Sequence, residues 1–376
     1  MNWRTLCGLV AIPTLACGQE VQSIIQQALR EVAPKEAAMS DEPKARRQPA
    51  ETPESKVVTP PVAIDHGLCG LAYADKNFVF LSKATFGFGF NSNVRQLGEG
   101  FPRANGIARE GTTLMEEAFE LNATWFIPHS DSHLLDRIDL SYSANAQSFD
   151  HLASSNTIIQ SASLGYCHAF TEDFSLQFVV SDQWIRVAEQ NLSNQIAFNP
   201  RIQWRPFDRT LLTLGYSVGP KEFYTGGTDV TDPDAVVQEA GFDLTYEVDQ
   251  TLKVVIGYGH AWTDAVGNDA DFERNEIRSK IAKGLYKDAT KSRFIRSVGL
   301  ELSYIHKFDE YGHPSSVTGF AYNRADDFDI ASAKLAVELD SRYEFTAQYQ
   351  YLRRDSNFAP LTYNQSLIIC RFGVKF

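Results

Sequence analysis

Arg371-Phe372-Gly373-Val374-Lys375-Phe376 closes the chain with an apolar or aromatic side chain at every second position and a phenylalanine last. Alternation at period 2 marks a β-strand with one apolar and one polar face. Working back along the chain, the same pattern recurs over residues 78–90, 119–127, 138–144, 162–166, 176–180, 196–204, 212–218, 240–246, 252–258, 298–304, 318–322, 333–339 and 345–351. With the C-terminal segment, this periodicity predicts about fourteen strands. The connectors alternate as well. Those at 91–110, 219–235, 263–293 and 355–363 are long, whereas those at 171–173, 206–209, 248–251 and 340–342 are tight.

The chain of 376 residues has a net charge of −12 and 12% aromatic residues. No apolar run of about 18 residues follows the N-terminus, so no transmembrane helix is expected in the mature chain. A mean hydropathy of −0.26 is compatible with alternating strands, in which a polar face masks an apolar one. No basic stripe points to nucleic acid.

Residues 1–18 read as a secretory signal, with Arg4, an apolar core over 6–16 and a small-x-small site at Ala16-Cys17-Gly18 that leaves Gln19 first. Leu15-Ala16-Cys17 also resembles a lipoprotein box with lipid on Cys17, and both routes stay open. Residues 19–33 carry Val21, Ile24, Ile25, Ala28, Leu29 and Val32 at helical spacing, which predicts a short amphipathic helix. Residues 34–74 are rich in proline and charge and read as a flexible linker. Cys69, Cys167 and Cys370 remain beyond the signal. Their odd number and wide spacing predict no disulfide framework and no zinc site.

The C-terminal strand with its terminal aromatic resembles the closing strand of Gram-negative outer-membrane β-barrels. Phe86-Gly87-Phe88-Gly89-Phe90-Asn91-Ser92-Asn93-Val94 is similar to the first strand of several porin families and to the barrel start of surface lipoprotein assembly modifiers. The resemblance implies an all-β fold over residues 75–376, a closed antiparallel transmembrane β-barrel of about fourteen strands. It also implies that Phe372, Val374 and Phe376 are read by the barrel-assembly machinery. Lipid and lipopolysaccharide would surround the wall, long loops would face outward, and the N-terminal arm would lie in the periplasm. Trp125, Tyr166, Trp204, Tyr246, Tyr304 and Phe376 are expected near the short turns. Phe90, Trp184, Tyr216, Trp262 and Tyr322 are expected near the long loops, as two aromatic girdles.

In such a barrel the polar faces point inward. Glu120, Arg137, Asp139, Arg201, Gln203, Arg205, Asp243, Lys253, Glu301, Lys334, Glu338 and Gln348 are the candidate lumen-lining residues. No catalytic constellation is expected. His129, His133, His306 and His313 fall in expected short turns, His151 in a long loop, and His168 and His260 near strand ends. Asp229, Asp232 and Asp234, and Asp269, Asp271 and Glu273, form acidic loop clusters that read as solvated, with calcium the minority reading. The expected function is a porin for small hydrophilic solutes, without cofactor or metal. A non-conducting barrel that anchors, binds or exports is the alternative, and a barrel hydrolase stands third. The helix expected at 21–32 would serve as a plug.

Overall fold

The computed structural model describes residues 63–65, 71–73 and 77–376, except 94–110, 130–133, 151, 189, 225–232, 268–269, 288–293, 315–321, 340–341 and 358–360. Two short strands, β1 (Ala63–Asp65) and β2 (Leu71–Tyr73), pair antiparallel ahead of the main body. The expected signal segment, helix and plug lie outside the described residues.

Fourteen strands follow: β3 (Phe78–Asn91), β4 (Thr112–Pro128), β5 (Leu135–Phe149), β6 (Thr157–Thr171), β7 (Phe174–Val187), β8 (Gln190–Phe207), β9 (Thr210–Phe223), β10 (Ala235–Glu247), β11 (Leu252–Ala265), β12 (Phe272–Lys287), β13 (Ser297–Pro314), β14 (Asn323–Glu338), β15 (Tyr343–Ser356) and β16 (Tyr363–Lys375). Each pairs with the next, and β16 returns to β3, so the sheet is a closed antiparallel barrel. The closing ladder runs from Leu367↔Asn91 to Lys375↔Lys83. Closure leaves no edge strand, so every strand finds backbone partners on both sides.

The outer wall is apolar. Phe86, Phe88, Phe119, Leu140, Leu164, Phe178, Phe198, Leu214, Phe242, Ile256, Ile277, Leu302 and Ile368 are all exposed. They alternate with polar residues that turn inward, the reverse of a soluble protein and the polarity of a transmembrane barrel. The strands, at 13 to 18 residues, exceed the roughly 9–11 needed to cross hydrocarbon. Their ends therefore project beyond it.

The connections after β3, β9 and β13 gather at one end, called here the loop end. Those after β6, β8, β10 and β14 gather at the other, the turn end. Two expectations fail between β11 and β14. The long connection expected at 263–293 is broken by β12, and the β12–β13 connection at the turn end, 288–296, is not tight. Residues 318 and 320, expected in a strand, lie outside the described residues, and Tyr322 is in a bend ahead of β14. β12 is the strand that the alternation missed, and the barrel has fourteen strands.

The shift moves three side chains. His306 sits on the outer face of β13 and His313 near that strand's loop end, not in turns. Tyr304 lies within the wall, its hydroxyl donating to Asp329 Oδ1 at 2.6 Å. Cys167 is buried on β6 and Cys370 exposed on β16, so these two thiols cannot meet. His133, His151 and Cys69 lie outside the described residues.

Candidate functional site

The candidate site is the lumen. Inward positions on β12 are Arg274, Glu276, Arg278 and Lys280, one charge at every second residue. Arg274, Glu276 and Lys280 each meet a partner on the neighbouring β13. Arg274 holds Asp309 through two bonds of 2.7 Å, directly across the β12–β13 ladder. Lys307 reaches Glu276 at 2.9 Å, and Lys280 reaches Glu301 at 2.8 Å. At the loop end, Arg354 donates to Asp326 at 2.6 Å, both almost fully buried, and Arg324 lies 3.0 Å from the same carboxylate. The Arg324 guanidinium also sits 3.5 Å from the centre of the Tyr311 ring, within cation–π range.

Glycines let some of these pairs skip a strand. Asp243, Gly257 and Arg278 occupy one row across β10, β11 and β12. Because Gly257 has no side chain, Arg278 passes over β11 and grips both oxygens of Asp243, at 2.7 and 3.1 Å. With the contacts of Glu276 to Arg278 and Lys307, this makes a charged belt from β10 to β13.

The same device recurs at barrel closure. Arg371, Gly87 and Glu116 share a row across β16, β3 and β4. Arg371 crosses above Gly87 to Glu116 at 2.6 Å, and the belt extends to Gln348 and Gln147. At the turn end, Lys83 crosses Gly373 to Glu344 at 3.2 Å, while Lys375 joins Glu344 to Glu338. The Phe-Gly alternation of β3 thus has two functions: phenylalanine faces lipid and glycine clears a path for an ion pair.

The wall formed by β5 to β8 is different. Its inward groups are hydroxyls and amides bonded across strands: Ser141 to Ser163 at 2.6 Å, Gln183 to Ser161 at 3.3 Å, Asn199 to Ser181 at 3.2 Å and Ser175 to Gln203 at 3.3 Å. Charge enters this wall mainly near the turn end, where Arg137 donates to Asp139 at 2.7 Å. Where the two walls meet, a small recess is lined by Asn199, Arg201, Thr213, Glu239, Asp243 and Arg278.

The structure places Glu120, Arg137, Asp139, Arg201, Gln203, Asp243, Glu301, Lys334, Glu338 and Gln348 on inward faces, opposite the exposed apolar residues of their strands. Arg205 and Lys253 stand at the turn end, near Asp173 and Glu247 respectively. Sequence reasoning missed Glu116, Glu239, Arg274, Glu276, Arg278, Lys307, Asp309, Arg324, Asp326, Arg354 and Arg371, which form most of the charged belts.

The acidic loop clusters lie partly outside the described residues. Of the described members, Asp234 accepts from Phe223 N at 2.5 Å and Asp271 from Ala265 N at 2.6 Å, so both secure strand ends. In the β10–β11 turn, Asp249 Oδ1 accepts from the Thr251 hydroxyl, Thr251 N and Leu252 N at 2.7, 2.7 and 2.9 Å. These bonds, the Thr251 hydroxyl foremost, lower the carboxyl pKa to about 2. Phe372 and Phe376 are exposed on the outer wall, where Phe372 stacks on Tyr343 at 5.9 Å.

Among solved structures, the barrel is similar to the outer-membrane channel DcaP of Acinetobacter baumannii (TM-score 0.49, 8% identity, 80% of this chain and 97% of that one). It is also similar to an anion-selective porin from Comamonas acidovorans (TM-score 0.46, 7% identity, 80% and 99%). A third likeness is to outer-membrane-expressed OmpT of Vibrio cholerae (TM-score 0.45, 11% identity, 80% and 97%). No protein-family model matches the sequence, and neither does any curated protein sequence.

Proposed function

We propose that this chain is an outer-membrane channel through which small hydrophilic solutes pass passively. The observation that carries the reading is the division of the lumen into two walls. One bears paired charges from β10 around to β4; the other bears hydroxyls and amides from β5 to β8. Paired charges hold a rigid opening without a strong net field. Hydroxyls and amides offer both donors and acceptors to an uncharged polar solute.

The long loops face outward, and the turn end, where β3 begins and β16 ends, faces the periplasm with the N-terminal arm. Lipid and lipopolysaccharide contact the apolar wall, and the assembly machinery reads Phe372, Val374 and Phe376. The reading involves no catalytic step, and in its support His168, His260 and His306 bond to Asp136, Asn275 and Asp329 on the outer wall, away from the serine-lined lumen.

Swelling of liposomes containing the folded protein in iso-osmotic neutral sugars tests this reading. Swelling with small sugars that declines as the sugar grows is expected. Liposomes that hold folded barrel and do not swell in any sugar would contradict it.

A further inference from the structure

One pattern appears three times on the outer wall: Tyr-x-His on one strand, with hydroxyl and imidazole aimed at one polar side chain of a neighbouring strand. Tyr258 and His260 meet Asn275 Oδ1 at 2.7 and 3.1 Å. Tyr304 and His306 meet Asp329 Oδ1 at 2.6 and 3.1 Å. Tyr166 and His168 meet Asp136, the hydroxyl at Oδ2 (2.6 Å) and the imidazole Nδ1 at Oδ1 (2.8 Å). Only this third copy gains a second imidazole, for His129 Nε2 stands 2.7 Å from the same Oδ1.

We propose that His129, Asp136 and His168 form a binding site for a divalent transition-metal ion of the zinc class, on the outer wall near the turn end. The three donor atoms lie within 4.8 Å of one another, and among the described residues no other group of His, Cys, Asp and Glu converges in this way. Two imidazole nitrogens and a carboxylate oxygen are a donor set suited to zinc, cobalt or nickel.

Bonds of 2.0–2.1 Å in a tetrahedron separate donors by about 3.3 Å. Asp136 Oδ1 is already nearer than that to both nitrogens, so the adjustment falls on the two rings. These already stack, with centroids 5.4 Å apart and planes 27° from parallel. Binding needs each imidazole to carry its proton on the nitrogen away from the ion, and water completes the fourth position. The Tyr166 hydroxyl holds Oδ2 and turns Oδ1 toward the imidazoles, the orienting role of an outer-shell partner. An ion here would tie the end of β4 and the start of β5 to β6.

Cobalt(II) titration of the folded protein in detergent tests the proposal. One equivalent should develop the intense visible absorption of a four-coordinate site, and zinc should displace it. His129→Ala, Asp136→Asn and His168→Ala should each abolish the band, and His306→Ala should keep it. Tyr166→Phe should weaken affinity by about 10-fold. Absence of the band in the wild type, or its persistence in both His129→Ala and His168→Ala, would overturn the assignment. The unmutated protein provides a check independent of variant folding. Zinc should protect His129 and His168, and not His306, from diethyl pyrocarbonate; equal labelling of all three with and without zinc would equally overturn it.

Discussion

Gly257→Ala should sever the ion pair that crosses β11 while leaving both charged partners in the chain. A Cβ at this position would stand 2.1 Å from Asp243 Oδ1, 2.7 Å from Arg278 Nε and 2.9 Å from Arg278 Cγ. All three belong to side chains, so the strand stays in place and the pair gives way. Bonds to a charged group contribute about 1.5–3 kcal/mol, and alanine returns about 0.5–1 kcal/mol in a strand, so the net loss is about 1–2 kcal/mol. The pair is 21% and 13% exposed toward a polar lumen, which places the loss toward the lower figure. The assay is urea unfolding of the lipid-reconstituted protein followed by tryptophan fluorescence. Gly299→Ala is the matched control, because its Cβ would meet nothing closer than the Lys283 carbonyl oxygen at 3.9 Å. If the two variants unfold at the same urea concentration, the reasoning that glycine clears a path for Arg278 is wrong.

Three further outcomes follow from the same geometry. Glu116→Gln leaves Arg371 without its carboxylate and should cost about 3 kcal/mol in the same unfolding assay, the lower end for a broken buried pair, because Arg371 keeps 20% exposure; an unchanged midpoint would remove the closure belt from the account. Asp243→Asn removes one negative charge beside Arg278 and Arg201, leaving Arg278 only Glu276, and should shift the salt-gradient reversal potential toward anion preference, whereas a shift toward cations would show that these arginines do not face the conduction path. Asp249 has a folded pKa of about 2, below the ordinary value of about 3.9. Its stabilisation of the β10–β11 turn is therefore complete above about pH 4 and is lost as pH falls toward 2. An NMR titration of its carboxyl carbon with a midpoint near 3.9 would refute the hydrogen-bond set.

Period-2 alternation made most of the barrel legible, because lipid demands an apolar face on every strand. β12 escaped for a physical reason. Its exposed large apolar residues are Ile277, Ile281 and Leu285, four apart, and Ser279 and Lys283 interrupt the alternate positions. That spacing mimics a helix face and hides the strand, and with it went Arg274, Glu276 and Arg278. A missed strand reverses the expected direction of the next, so the expected turn position of His313 is in fact at the loop end, and His306, also expected in a turn, lies within β13. Partnerships such as Arg371 with Glu116 were illegible for another reason: 255 residues separate them, and only closure of β16 on β3 brings them together. The glycine rows did leave a trace in Gly87 and in Gly257 and Gly259, which mark inward positions where another side chain passes, whereas at Gly89 the backbone of the paired strand comes close at Ile368.

The most direct test of the channel reading is single-channel recording of the folded protein in a planar bilayer, with a salt gradient across it. Discrete, steady conductance steps and a reversal potential near zero are predicted, since the lumen charges are largely paired. A barrel that folds in lipid, with the heat-modifiable migration of a closed sheet, yet passes no current would contradict the account.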